Sequence, residues 1–303
     1  MSSNSFYGPL HDVAGDAGYD DEHPPRVGFF TDTSVCIGCK ACEVACKEWN
    51  EVPVSGEGDG FNLLGMSFDN TGELGANSWR HVAFIEQRRP EPVESVDLGM
   101  PGFERPGDTT GAETRQDFRW LMSSDVCKHC THAGCLDVCP TGALFRTEFS
   151  TVVVQQDICN GCGYCVSGCP YGVIERREGD GRAWKCTLCY DRLHDGLEPA
   201  CAKACPTDSI QFGVLDELRE RAALRVSELH ERGVTEARLY GHDPDDGVGG
   251  DGAFFLLLDE PEVYGLPPDP VVPTRDAGAM GRYAGMAASA RVGVAVSAFV
   301  GRR

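Results

Sequence analysis

The stretch CNGCGYCVSGCPYGV, residues 159–173, decides the reading of this chain. Cys159, Cys162 and Cys165 stand two residues apart, and Cys169 follows after three more, with Pro170 behind it. Three thiolates on so short a loop can face three corners of one iron–sulfur cube. In the bacterial run with this spacing, the fourth cysteine ligates a different cluster. Small residues such as Gly161 and Gly163 let the backbone come close to the metal.

Working outward, the same rhythm recurs. The chain has 303 residues and 16 cysteines. They fall into four groups of four: Cys36, Cys39, Cys42 and Cys46; Cys127, Cys130, Cys135 and Cys139; Cys159, Cys162, Cys165 and Cys169; Cys186, Cys189, Cys201 and Cys205. None is left over. The second group widens the spacing between Cys130 and Cys135, and the fourth widens that between Cys189 and Cys201. Longer loops still deliver three thiolates to one cube, while altering the solvent access and hydrogen bonding that set its potential. Proline follows the last cysteine at Pro140, Pro170 and Pro206; the first group has Lys47 there.

Exchange of fourth cysteines predicts four [4Fe–4S] clusters. Groups two and three lie close in sequence and are expected to trade. Cys127, Cys130, Cys135 and Cys169 then hold one cluster, and Cys139, Cys159, Cys162 and Cys165 another. Groups one and four are left to trade over a long distance. Cys36, Cys39, Cys42 and Cys205 form the third set, and Cys46, Cys186, Cys189 and Cys201 the fourth. Zinc sites rarely crowd three cysteines into seven residues and follow them with Cys-Pro. Disulfides fit worse, because residues 1–19 carry neither the basic nor the apolar region of a secretion signal. His129 and His132 are expected to support the site or to lie at the surface. Lys40, Lys47, Lys128, Lys185 and Lys203, all near cluster cysteines, are expected to be solvated.

The formal charge is −20, with acid gathered at residues 16–22 and 243–246. Such a surface lacks the cations that displace counterions from nucleic acid, so no nucleic-acid partner is expected. No GxGxxG opens a helix, and neither a P-loop nor a nucleophile elbow is present, so no catalytic residue is assigned. A chain whose dedicated chemistry is four clusters moves single electrons.

The expected fold is α+β, with two ferredoxin-like halves. An N-terminal arm (1–26) would precede a four-cluster domain (27–213) carrying an insertion at about 51–125, followed by a C-terminal extension (214–275). Short strands are read at 27–30, 79–85 and 118–122, and a hairpin from 143–145 and 151–154. A further strand follows the last cysteine at 209–212, and FFLLL at 254–258 reads as a buried strand. Residues 88–114 read as loop. Leu215, Leu218, Ala222, Val226 and Leu229 recur at helical spacing, with Gly233 as a stop. Glu217 with Arg221 and Glu228 with Arg232 are favourable pairs on that helix. The tail from 276 is Ala/Gly/Val-rich, but Arg291 near its middle weighs against a lone membrane span. Gly281 and Gly285 suit close packing on another helix, so the tail is a candidate anchor or partner-packing helix.

Five stretches carry a family resemblance. They are CIGCKACEVACKEWNEVP (36–53), ANSWRHVAFIE (76–86), CKHCTHAGCLDVCPTGALF (127–145), the 159–173 stretch and KCTLCYDRLHDGLEPACAKACPT (185–207). Together they resemble the iron–sulfur (beta) subunit of respiratory formate dehydrogenases, within the four-cluster subunits of molybdopterin oxidoreductases. LYGHDPDDGVGGDGAFFLLLDEP (239–261) and YGLPPDP (264–270) resemble that subunit's C-terminal region. The resemblance implies a molybdenum or tungsten bis-pterin catalytic (alpha) partner that oxidises formate. It also implies a membrane cytochrome b (gamma) partner that reduces quinone, and so a place at the cell envelope. The family's membrane helix follows the YGLP segment, where this tail is only weakly apolar, so a soluble cytoplasmic complex is the alternative. The corresponding subunit of another molybdopterin oxidoreductase or of a hydrogenase is the alternative identity, and a zinc-stapled scaffold is a reading from a different class.

Overall fold

The computed structural model describes residue 10, residues 12–53, residue 69 and residues 72–88 and 118–300. Of the loop expected at 88–114, Arg88 instead ends a strand, and the rest, with much of the insertion, lies outside them. The strands are β1 (Val27–Asp32), β2 (Arg80–Arg88), β3 (Phe118–Val126), β4 (Leu144–Arg146), β5 (Val152–Val154), β6 (Glu175–Arg176), β7 (Ala183–Trp184), β8 (Ile210–Val214), β9 (Arg238–Tyr240) and β10 (Ala253–Leu257). The helices are α1 (Ala41–Trp49), α2 (Gly134–Asp137), α3 (Tyr164–Gly168), α4 (Tyr190–His194), α5 (Ala200–Lys203), α6 (Leu215–Glu231) and α7 (Ala277–Val300).

One four-stranded sheet, ordered β8-β1-β10-β9, organises the molecule. β1 pairs parallel with β10, Phe29 beside Ala253, and antiparallel with β8, Phe29 beside Phe212. Strand alternation gives each face its own task. Phe30, Phe254 and Leu256 face α6, where they meet Leu215, Leu218, Ala222 and Leu229. Phe29 and Ala253 face the other way and pack with Cys42, Cys46, Cys127, Cys186 and Cys201. The sheet is therefore the wall between a conventional apolar core and the cysteine-rich half. Leu215, Leu218, Ala222 and Leu229 are buried on α6 at the spacing the sequence predicts. Its charged pairs differ from expectation: Arg221 donates to Gln211, and Glu228 pairs with Arg225.

Three hairpins frame the cysteine loops. β2 and β3 pair over nine residues from Arg80–Val126 to Arg88–Phe118, β4 pairs with β5, and β6 with β7. The helices within the cysteine region run from about one turn to two and a half, too short to stand without tertiary support. α7 is a long helix whose Met280, Tyr283, Met286 and Phe299 are all more than two-thirds exposed. Among the described residues no helix is long and apolar enough to cross a membrane.

Candidate metal centre

Each cysteine loop turns sharply before a helix begins. Residues 38, 161 and 163 adopt positive φ, which glycine accepts without strain. A Cβ at Gly161 would meet the Gly181 carbonyl at 2.4 Å, so that loop admits only glycine. α1, α3 and α5 then carry Cys46, Cys165 and Cys201 inward.

The structure brings thiols from distant groups together, and two of the expected sets line cavities. Cys36, Cys39, Cys42 and Cys205 line one cavity together with Val82 and Ser124 of the β2–β3 hairpin. Cys127, Cys130, Cys135 and Cys169 line a second, roofed by Val152 and Ile174. Burial pushes the Cys46 thiol well up, and the close thiolates of Cys186, Cys201 and Cys189 push it further. Asn50 Nδ2 reaches both Cys46 Sγ at 3.8 Å and Cys189 Sγ at 3.7 Å. In the last expected set, burial raises Cys165 to about 11, with Cys159, Cys139 and Cys162 adding to the shift.

Thiols of different groups also lie near one another. Cys42 lies beside Cys201, Cys186 beside Cys127, and Cys135 beside Cys165, each near enough for its thiolate charge to be felt by the next. Cys39 and Cys162 are exposed, whereas Cys42, Cys46, Cys127, Cys186, Cys189 and Cys201 are buried. Ile37, Ile158 and Tyr164 are exposed apolar side chains near those two exposed cysteines in sequence.

This donor set fits iron–sulfur clusters. All sixteen cysteines are free of disulfide bonds. A single zinc ion would draw four sulfurs to within about 3.8 Å of one another, given its ~2.3 Å Zn–S bonds. Among the described residues no such convergence of three or more His, Cys, Asp or Glu side chains occurs. Two cavities each lined by four cysteines, Cys36, Cys39, Cys42 and Cys205 in one and Cys127, Cys130, Cys135 and Cys169 in the other, suit a cube. Crowded buried thiolates also need a strong positive centre to hold them ionised, and a metal cluster supplies it. A separate cavity of about 530 Å³, between Tyr19 and Phe145, has no cysteine in its lining.

Two lysines beside the cysteines differ from the solvated places expected of them, and His129 takes the buried one of its two expected places. Lys128 and Lys185 are 0 % and 2 % exposed, and His129 is 2 % exposed. Burial, reinforced by Lys185, Arg146, Arg26 and Arg80, holds the His129 ring well below its usual pKa, and Nδ1 accepts from the Val152 amide. Lys203 is solvated, as expected. Arg80, from the ANSWRHVAFIE stretch, escaped notice as a site residue. It is 1 % exposed and donates from Nη2 to Cys201 Sγ at 3.2 Å. Burial alone would lower both Arg80 and Lys185. The thiolates around them more than offset that, led by Cys201 and Cys127, and both cations stand above their ordinary values.

Two family profiles, each described as a 4Fe-4S dicluster domain, match residues 35–143 and 118–215. Two two-cluster units give four clusters, and the α+β reading with two ferredoxin-type halves stands. The nitrate-inducible formate dehydrogenase iron–sulfur subunit of Escherichia coli is 37 % identical over 257 residues, spanning 84 % of this chain and 76 % of that protein. The formate dehydrogenase iron–sulfur subunit of Haemophilus influenzae is 38 % identical over 255 residues, 83 % of this chain and 72 % of that one. The B subunit of the anaerobic dimethyl sulfoxide reductase of Escherichia coli is 32 % identical over 196 residues, 65 % of this chain and 77 % of the other. Sixteen grouped thiols, two dicluster matches and relatives aligned over most of their length lead to one conclusion: the chain belongs to the iron–sulfur subunits of formate dehydrogenases, which transfer electrons and leave catalysis to another polypeptide.

Proposed function

We propose that this chain relays electrons from a formate-oxidising molybdenum or tungsten bis-pterin subunit towards a membrane cytochrome b and quinone. The observation that carries this reading is the run of neighbouring thiols, Cys42 by Cys201, Cys186 by Cys127 and Cys135 by Cys165, between exposed Cys39 and exposed Cys162, which supports four quartets in single file. When bound, the clusters supply reversible one-electron chemistry at each quartet.

The holding residues are proposed as four sets. They are Cys36, Cys39, Cys42 and Cys205; Cys46, Cys186, Cys189 and Cys201; Cys127, Cys130, Cys135 and Cys169; and Cys139, Cys159, Cys162 and Cys165. Around the inner sets, Phe29, Val82, Val126 and Leu188 exclude water, which lowers the local dielectric. Leu188 and Ala183 offer backbone amides to Cys186 Sγ at 3.3 Å and Cys159 Sγ at 3.4 Å, hydrogen bonds of the kind that tune potential. Ile37 at one end and Tyr164 at the other give each surface end an apolar collar suited to a partner subunit. α7, with Gly281 and Gly285 one turn apart, is the proposed contact with the membrane partner's helices.

The test is anaerobic purification with co-purifying subunits, followed by low-temperature electron paramagnetic resonance before and after formate. Reduced [4Fe–4S] signals on adding formate are expected. Signals raised by dithionite but not by formate, with the catalytic subunit visible on a gel, would exclude formate as the electron source. The similarity to a dimethyl sulfoxide reductase subunit supports a second reading, in which the same file serves a reductase and runs the other way. In that case dimethyl sulfoxide would reoxidise the reduced clusters. Replacing Cys205 by Ser should disturb one cluster and leave that of Cys186, Cys189 and Cys201 intact.

A further inference from the structure

Two buried cations occupy the seams between successive quartets. Arg80 Nη2 donates to Cys201 Sγ at 3.2 Å, while Nη1 donates to Ser124 O at 3.1 Å and Ser124 Oγ at 3.3 Å. Ser124 Oγ is in turn 3.2 Å from Cys42 Sγ. Arg80 thus touches one quartet directly and the next through a single hydroxyl. Its guanidinium also lies over the Phe29 ring at 4.9 Å. Lys185 Nζ donates to Cys127 Sγ at 3.5 Å, to Cys186 O at 2.9 Å and to Val152 O. Three acceptors around one nitrogen match the three N–H groups of an ammonium. The seam between Cys135 and Cys165 is closed differently, by glycines: a Cβ at Gly134 would meet Gly168 O at 2.5 Å.

Among the described residues, neither Arg80 nor Lys185 has a carboxylate within ion-pair distance, whereas the buried Lys128 has Asp125. An unpaired charge in a dry interior is costly, so the balancing negative charge must come from the thiolates and from what they hold. We infer that Arg80 and Lys185 are fixed counter-charges of the electron path, each raising the reduction potential of the two clusters whose thiolates flank it. Arg80 serves the sets of Cys36, Cys39, Cys42, Cys205 and of Cys46, Cys186, Cys189, Cys201. Lys185 serves the latter set and that of Cys127, Cys130, Cys135, Cys169. This rests on the proposed cysteine grouping. Both residues keep their protons throughout. The electron comes from the catalytic partner and goes on to the acceptor, and each arrival adds one negative charge that the cation stabilises. The set of Cys139, Cys159, Cys162 and Cys165 touches neither cation and serves as an internal control.

The experiment is an electron paramagnetic resonance redox titration of the full chain, with its co-purifying subunits, in Arg80→Gln, Lys185→Gln and the charge-keeping Arg80→Lys and Lys185→Arg forms. Each Gln form should lower two midpoint potentials by about tenfold in the reduction equilibrium, which is about 59 mV for a one-electron couple. One cluster should respond to both substitutions and one to neither. The charge-keeping forms should stay within about twofold of the parent. Four clusters with unchanged potentials in both Gln forms would overturn the inference, as would equal shifts in the charge-keeping forms. If a Gln form loses iron, the charge-keeping form decides: full iron and parental potentials support a charge role, and loss there too shows that shape alone matters. Shifts confined to clusters that do not overlap between Arg80 and Lys185 would defeat the cysteine grouping while leaving the charge role standing.

Discussion

Arg225 ties helix α6 to the turn that leads into the first cysteine loop. Its Nε donates to Asp32 Oδ2 at 2.9 Å and its Nη2 to Ser34 Oγ at 3.1 Å. Asp32 is only 3 % exposed, so Arg225→Ala leaves a buried carboxylate short of a partner, at a cost of about 1–3 kcal/mol. A lower temperature for loss of visible cluster absorbance is the expected outcome. At the N-terminal arm, His23 Nε2 meets Asp12 Oδ2 at 2.8 Å. The Pro24 carbonyl, then Asp12, raise the imidazole above 6.5, and His23 lowers the carboxyl below 3.8. The histidine contribution is complete below 6.5 and fades as pH rises through its raised pKa. The aspartate contribution is complete above 3.8 and fades as pH falls through its lowered one. The clasp is therefore full between those values, and protection of the Ala14 amide, which donates to Asp12, measured as its hydrogen-exchange rate relative to the intrinsic rate at each pH, should fall on either side. At this scale the sequence is legible where chemistry is local. The cysteine rhythm declares four clusters by itself. Burial of Lys128, Lys185, His129 and Arg80 is not legible, because their surroundings come from β5, β3 and β10, far along the chain.

The elements that matter most are those that pair across long distances. Gly28 in β1 faces the backbone that leads into β10, and a Cβ there would stand 2.0 Å from Gly252 O and 2.9 Å from the Leu215 side chain. Gly28→Ala should cost about 1–3 kcal/mol by overpacking the strand against its parallel neighbour. Leu218→Ala, in the core that α6 makes with the sheet, should cost about 2–5 kcal/mol by leaving a cavity. Both are read as lower midpoints of thermal unfolding, and neither should change iron content at low temperature. The amphipathic helix, the hairpin of β4 with β5 and the FFLLL strand are visible from spacing alone. That β10 lies beside β1, parallel to it, is not, since a continuous apolar run fits any buried sheet position.

Across the whole molecule, the cysteine file and helix α7 are structurally separate. α7 is exposed from Met280 to Phe299, while Thr274, just before it, still anchors the chain to Asp137 at 2.6 Å. A chain ending at Asp276 should keep four clusters and its thermal midpoint but lose co-purification with the proposed membrane partner. Loss of clusters on that truncation would mean that the tail supports the fold itself. The domain outline in the sequence is a linear one, with an arm, a cluster region and an extension. In three dimensions β1, β8 and β10 share one sheet, so the extension forms part of the wall behind the cysteines.

That shared sheet sets a schedule for biosynthesis. The cavity lined by Cys127, Cys130, Cys135 and Cys169 needs only a short local stretch of chain. The one lined by Cys36, Cys39, Cys42 and Cys205 waits until Cys205 has left the ribosome, and β1 waits longer still for β10. The earliest cysteines translated are thus the last to be enclosed, and they stay open to oxygen and stray metals for most of the chain's synthesis. Iron delivered during translation should therefore fill the middle of the molecule first, and a maturation factor that guards nascent thiols would find its longest task at residues 36–46.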